Sequence, residues 1–301
     1  MSTTFTRSAS HEDQSVNFWS PHNDGGALEA RLVRRTNEYI IAYLSSHTGC
    51  SYSCRFCHLT ATKQTMMTPC GFTDYLKQAQ RVLQEYQETL DKGAVQAQYM
   101  HFNFMARGEP LANPTVISES TQLFKGLGEI ASQYQLPAKF LISSILPRDF
   151  NADLSSVFSD PRSVLYYSLY SLDPAFRKRW LPKALPGEVG LDLIQDYQQK
   201  TGREICLHWA FIKGQNDEEK QVDAILEAVH QRDIKARFNL VRYNPHSARH
   251  GEEPDDIHLQ SLFERIKSSL GNPISRIVPR VGYDVKASCG MFLEPADLKA
   301  P

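Results

Sequence analysis

The chain has 301 residues, enough for one large α/β domain or two small ones, with 41% hydrophobic and 22% charged residues as in ordinary globular proteins. It has no apolar run of about 18 residues to span a membrane and no apolar segment near its start to act as a secretory leader. A formal net charge of −1 excludes a protein that coats nucleic acid by bulk charge, though basic patches occur at Arg177–Arg179 with Lys183, at Arg31 with Arg34 and Arg35, and at Arg276 with Arg280 and Lys286.

In chain order, residues 1–38 are polar and mixed, with the turn signal Pro21–Gly26 and one expected hairpin around Ala27–Val33. Tyr39–Leu44 reads as a buried strand from its length and β-branched content. A helix follows, from the spacing of Leu76, Ala79, Val82, Leu83, Tyr86 and Leu90; Tyr99–Met105 is the second strand and Val116–Tyr134 the next helix. Strands at Phe140–Ser143 and Val164–Leu169, a helix at Gly190–Gln199, a strand at Ile205–Ile212, a helix at Glu218–Gln231, a strand at Phe238–Val241 and a helix at Ile257–Leu270 complete six strand–helix alternations. Repeated strand–helix units imply right-handed crossovers and a parallel sheet. Without a glycine-rich dinucleotide fingerprint, the pattern predicts a partial (β/α)6 barrel over 39–273, with 1–38 as a short N-terminal extension. Residues 274–301 form a C-terminal segment: a last strand at Ser275–Val278, then a loop carrying Cys289 beside Gly290, read as a reactive cysteine.

Barrel chemistry sits on loops at the C-terminal ends of strands, and the informative residues fall there. Three of the six cysteines, Cys50, Cys54 and Cys57, lie within eight positions directly after the first strand. Thiols this close in one loop suit a metal better than disulfides. Two metals compete. Structural zinc needs a fourth ligand, from His58 or Cys70; a [4Fe–4S] cluster held by three cysteines leaves one iron open, the C-x-x-x-C-x-x-C arrangement by which radical S-adenosylmethionine (SAM) enzymes chelate SAM. Such an oxygen-sensitive cluster, and cysteines without a disulfide framework, point to the reducing cytoplasm. Cys206 and Cys70 read as packed cysteines, and His58 and His208 as structural groups.

Ser45–Cys50, Met105–Leu111, Ser168–Tyr170, Asn216–Asp217, Tyr243–Pro245 and Ala287–Gly290 together resemble, in order, motifs of the RlmN/Cfr family of radical SAM methyltransferases, over about residues 29–291. The resemblance implies a radical SAM barrel in which Cys50, Cys54 and Cys57 hold the [4Fe–4S] cluster. It implies that Gly108, Glu109, Ser143, Ser168, Leu169, Tyr170 and Asn244 bind SAM. Cys289 takes the place of the cysteine that one SAM methylates and that then carries the methyl, activated by the 5′-deoxyadenosyl radical from a second SAM, to an adenine. Glu29 lies near the family's general-base glutamate. The implied substrate is C2 of an adenine in tRNA or rRNA, with a flavodoxin or ferredoxin as electron donor and a monomeric enzyme. Ring carbons C2 and C8 have no usable acidity, which is why radical chemistry is required.

Two departures stand out. The family's release cysteine, seven residues before the first cluster cysteine, is Tyr43 here, leaving Cys206, Cys70 or an external thiol for release. Only 49 residues precede Cys50, where the family carries a separate RNA-binding domain. Both keep open a radical SAM enzyme that abstracts hydrogen from a nucleotide or other small substrate without methyl transfer. The remaining alternative is a non-catalytic zinc-containing nucleic-acid-binding module.

Overall fold

The computed structural model describes residues 4–298. Its strands are β1 (Thr6–Ala9), β2 (Val16–Pro21), β3 (Ala27–Arg34), β4 (Tyr39–Leu44), β5 (Tyr99–Phe104), β6 (Ala138–Ser144), β7 (Ser163–Tyr167), β8 (Ile205–Trp209), β9 (Ala236–Val241) and β10 (Arg276–Val278). All ten lie in one sheet, ordered as they occur in the chain. β1 to β4 pair antiparallel, and β4 to β10 pair parallel. The helices are α1 (His58–Ala61), α2 (Phe72–Asp91), α3 (Pro114–Ser118), α4 (Ser120–Gln133), α5 (Leu154–Val157), α6 (Pro174–Trp180), α7 (Gly187–Thr201), α8 (Glu219–Gln231) and α9 (Asp256–Leu270). This is the expected parallel barrel over β4 to β10, prolonged beyond β4 by β3, β2 and β1, so that β1 and β10 are the edges of the sheet.

The period-2 alternation of a strand sorts its side chains between two environments. On β5, Met100, Phe102 and Phe104 pack outward into the layer between sheet and helices, where Phe124 of α4 stacks on Phe140 of β6 at 4.6 Å. The intervening His101 and Asn103 face the barrel lumen. α2 covers the outer layer through a stripe of Tyr75, Ala79, Val82, Leu83 and Tyr86, the helical repeat seen in its sequence.

Three elements differ from their sequence reading. The N-terminal extension contributes three strands, and β3 pairs directly with β4, so the barrel sheet runs on into the hairpin. The helix expected over Val116–Tyr134 is two helices that meet at Glu119. The strand expected over Ile205–Ile212 stops at Trp209, where the Asn216 side chain accepts from the Ile212 N–H and donates to the Ala210 carbonyl. No helix among the described residues is long and apolar enough to cross a membrane.

Candidate active site

The loop from β4 to α1 delivers the three cysteines to the top of the barrel. Its entry is fixed by Gly49: a Cβ there would lie 2.4 Å from the Met66 carbonyl and 2.6 Å from that of Gln64, which accepts from the Cys50 N–H. Cys50, Cys54 and Cys57 line one chamber with Gly108, Glu109, Ser143, Ser168, Tyr170, Asn244 and Cys289. Burial, reinforced by the neighbouring Cys57, pushes Cys50 up to about 12. Burial pushes Cys57 up to about 11, and raises Cys54 well above the usual thiol value with help from both neighbours. Three neighbouring thiols, one buried and two half-buried, whose ionisation is disfavoured are a donor set suited to a cationic centre, which stabilises the thiolates.

Among the described residues, no three His, Cys, Asp or Glu side chains converge on a point for a single ion. A closed zinc site needs a fourth protein ligand, whereas a cluster would be held by the three thiolates alone. The candidate fourth zinc ligands are also engaged elsewhere. His58 Nε2 lies 3.1 Å from the Asn244 carbonyl, and Cys70 is in the core with the Gln78 amide 3.8 Å from its sulfur. The donor set fits a cluster better than zinc.

Glu109, at the end of the loop after β5, is nearly inaccessible, and burial pushes its carboxyl up to about 7 despite hydrogen bonds from Leu111 N–H (2.9 Å) and Ile145 N–H (3.2 Å). A buried carboxylate without a cation suits the ammonium group of SAM. Gly108 beside it has φ +93°, and a Cβ there would lie 2.5 Å from His47 Nδ1, so only glycine fits this backbone. Ser143 and Ser168 meet at 3.2 Å between their hydroxyls. Tyr170, at φ 61°, stacks on Phe56 of the cysteine loop at 4.4 Å.

Leu169 stands apart from its expected place. Its side chain is fully buried in the core and does not line the chamber; its carbonyl accepts from Arg177 at 2.7 Å. Arg177 also donates to the Ser171 and Leu185 carbonyls, so this member of a basic patch is a buried structural group.

Cys289 is held on the chamber wall by its backbone. Asn244 donates its side-chain amide to the Cys289 carbonyl at 3.0 Å, and Arg280 fixes Asn244 by donating to its amide oxygen at 2.9 Å. The His58 N–H donates to the Gly290 carbonyl. Burial raises the Cys289 thiol, while the guanidinium charges of Arg35 and Arg31 oppose that rise.

The segment around Cys289 is anchored by a buried ion network that the sequence did not reveal. Glu29 on β3 pairs with Arg31 at 3.1 Å and with Arg107 at 2.6 Å, all three inaccessible to solvent. It also accepts from Asn17 and from the Leu293 N–H. Arg31 donates to the carbonyls of Ala287, Ser288 and Met291, and Asn17 to that of Val285. Burial would raise the Glu29 carboxyl, but Arg107 and Arg31 outweigh it and hold it below its ordinary value. Glu29 therefore lies outside the chamber, its carboxylate committed to two guanidiniums, where a general base would need a free lone pair facing the acceptor. Arg107 went unrecognised because its partner is 78 residues away. The available signal was the Glu29–Arg31 alternation, two charges on one face of an otherwise apolar strand.

No protein-family profile matches the chain. Among curated proteins, it is similar to the dual-specificity RNA methyltransferase RlmN of Desulfosudis oleivorans, 28% identical over 284 residues that cover 92% of this chain and 70% of that protein. It is 25% identical to a probable RlmN of Synechococcus sp., covering 93% and 77%. Among solved structures, a radical SAM methyltransferase from Sphaerobacter thermophilus superposes with a TM-score of 0.77 at 18% identity, over 96% of this chain and 81% of that one. The barrel has the fold of that radical SAM methyltransferase, and its three-cysteine chamber has a donor set suited to a [4Fe–4S] cluster with SAM beside it. The curated proteins to which the chain is similar over most of its length are RlmN-type RNA methyltransferases.

Proposed function

We propose that the enzyme methylates C2 of an adenine in tRNA or rRNA, with Cys289 as the methyl carrier. The observation that carries this reading is the place of Cys289, which shares one chamber wall with the three cysteines and the residues expected to bind SAM. When bound, the cluster supplies the electron that cleaves SAM. The protein's part is positional. Cys50, Cys54 and Cys57 hold the cluster, and Glu109 accepts from the SAM ammonium group beside the tight Gly108 backbone. Ser143, Ser168, Tyr170 and Asn244 line the remainder of the SAM site, and Asn244 also fixes the Cys289 backbone. Arg35 and Arg31 favour the Cys289 thiolate, the form that can accept a methyl group. Glu29 acts as a positioning residue for the Cys289 segment. A flavodoxin or ferredoxin serves as reductant to a cytoplasmic monomer.

A second reading, hydrogen abstraction without methyl transfer, is favoured by Tyr43. This residue stands where the family has its release cysteine, and Arg35 donates to its hydroxyl at 3.0 Å. Mass spectrometry of the Cys289 peptide, from protein made in cells with active SAM metabolism, separates the two. A methyl group on Cys289 that vanishes when Cys50, Cys54 and Cys57 are changed to alanine supports methyl transfer. An unmodified Cys289 in protein that binds a cluster and cleaves SAM would leave the second reading.

A further inference from the structure

Of the basic patch at Arg177–Arg179 and Lys183, Arg177 turns inward, and the others form part of a larger ring on the surface. The ring surrounds the loop that carries the three cysteines. Arg55 lies within that loop. Its N–H donates to the Trp180 carbonyl at 3.0 Å, its guanidinium lies 5.5 Å from the centre of the Trp180 indole, and its Nη2 donates to the Arg249 carbonyl at 3.3 Å. Arg179 flanks the same indole at 5.8 Å, with Lys178 exposed beside it. Lys183 reaches the loop directly, donating from Nζ to the Ser51 carbonyl at 2.7 Å, and its own carbonyl accepts from the Arg148 N–H at 2.9 Å.

Two features set this ring apart from the rest of the surface. The first is uncompensated charge. Among the described residues, none of Arg55, Arg148, Lys178, Arg179, Lys183 and Arg249 has a carboxylate within ion-pair distance. On and around the outer helices the opposite holds: Lys125, Lys200, Lys220, Arg232 and Arg265 are each paired with an aspartate or glutamate. The formal net charge is −1, so the ring is a local segregation of cations and not an overall excess. Asp149, the acidic residue next to Arg148, is committed to the Tyr52 hydroxyl at 2.9 Å. The second feature is that the aromatic rings are covered. Tyr52, Phe176 and Trp180 are 2–5% exposed. The ring therefore offers charge but no face on which an unpaired base could stack, the element that single-stranded nucleic acid sites add to their charge.

A surface of this kind suits a partner that is acidic, folded and held briefly, as in redox encounters, whose interfaces are small and steered by charge. A partner resting there covers the backbone between Cys50 and Cys57. We propose that this ring is the docking face for the reductant, a small acidic protein with a one-electron carrier, seated over residues 51–55. There the reduced partner gives up one electron, which passes inward to the group that Cys50, Cys54 and Cys57 hold; no bond is made or broken and no proton moves. The destination of the electron rests on the [4Fe–4S] reading of those cysteines, whereas the docking itself does not.

The test is association of oxidised flavodoxin with the full chain, followed through flavin fluorescence by stopped flow, which needs no turnover. For the native chain the association rate is expected to fall at least about tenfold between roughly 20 and 200 mM salt, as steering is screened, with little change in the dissociation rate. Lys178→Glu, Arg179→Glu and Arg249→Glu combined, all at exposed side chains, should lose a similar factor at low salt while circular dichroism stays native. Lys125→Glu, Lys220→Glu and Lys235→Glu combined reverse as much charge away from the ring and should change the rate by less than about twofold. No association of flavodoxin or of ferredoxin with the native chain, or association that salt does not slow, overturns the proposal even if the variants fail to fold. An equal loss in the two triple variants also overturns it. A ring variant that loses a single-stranded RNA oligonucleotide while taking up flavodoxin at the native rate assigns the ring to RNA, against the proposal. A chain that takes up a cluster reducible by dithionite, yet shows no charge-dependent association, defeats the docking face alone. Charge-dependent association by a chain that takes up no cluster defeats the radical SAM reading alone.

Discussion

Glu29→Gln tests whether this carboxylate is a clamp or a base. The amide keeps the shape and can still accept from Asn17 and the Leu293 N–H, but it cannot neutralise Arg31 and Arg107, both buried against it. Breaking one side of a buried ion pair costs about 3–5 kcal/mol. For 301 residues, a melting entropy of about 2.1 cal/mol/K per residue totals roughly 0.6 kcal/mol/K, so the melting temperature should fall by about 5–8 °C. Glu129→Gln, which alters an exposed pair with Lys125 on α4, is the control and should move it by less than about 1 °C. The folded carboxyl lies below the ordinary value of 4.5. The stabilisation it brings is therefore complete above that value and is lost as pH falls through the folded one, so the gap between native chain and variant should close in acid. Hydrogen exchange should also show lost protection over residues 285–293. A variant that melts within 1 °C of the native chain, keeps that protection and yet forms no product would refute the clamp and restore Glu29 as the base.

Changing Cys50, Cys54 or Cys57 singly to alanine should abolish iron binding and the absorption near 400 nm, with the melting curve of the iron-free protein little altered. Glu109→Gln should weaken SAM binding to the cluster-loaded protein roughly 10- to 100-fold, the worth of a charged hydrogen bond. In the native chain the Glu109 carboxyl ionises near 7, so SAM affinity, measured by equilibrium dialysis, should rise between pH 6 and 8, whereas the variant should show no such rise.

The strands of the barrel were legible because a parallel strand covered on both faces is written as a short, mostly apolar run, as in Tyr39–Leu44. β1 and β2 were not, because Thr6–Ala9 is a four-residue edge and Val16–Pro21 mixes Asn17 and Ser20 among apolar residues. Asn17 is buried all the same, since it holds both Glu29 and the Val285 carbonyl. The site shows the same division. The cysteines and the Gly108–Glu109 turn announce themselves by spacing, because loops carry them as contiguous motifs. The basic residues at 31 and 177 were read as patches, and the structure buries both: a sequence gives an arginine's charge, while the carbonyls it satisfies belong to distant segments. The lumen was invisible for the same reason, being assembled from one or two residues of each of several strands.

Tyr43 raises the question of how a methyl acceptor tied to Cys289 would be freed, and the fold narrows the answer. Release through a disulfide needs a second sulfur close to that of Cys289. Cys70 is packed beside α2 in the outer layer, and neither it nor Cys206 lines a cavity with Cys289. Cys206 faces inward from β8 but is fully covered by Leu141 and Tyr166, and burial pushes its thiol up to about 12, away from the thiolate that would attack. A thiol from solution is therefore the partner that remains for Cys289. Turnover by Cys70→Ser and Cys206→Ser should match the native chain, and both should depend on added glutathione, with Cys289 recovered as its mixed disulfide. Loss of turnover in Cys206→Ser, together with a Cys206–Cys289 disulfide peptide from the native chain, would show that the lumen rearranges during catalysis and that the strand carries its own release thiol.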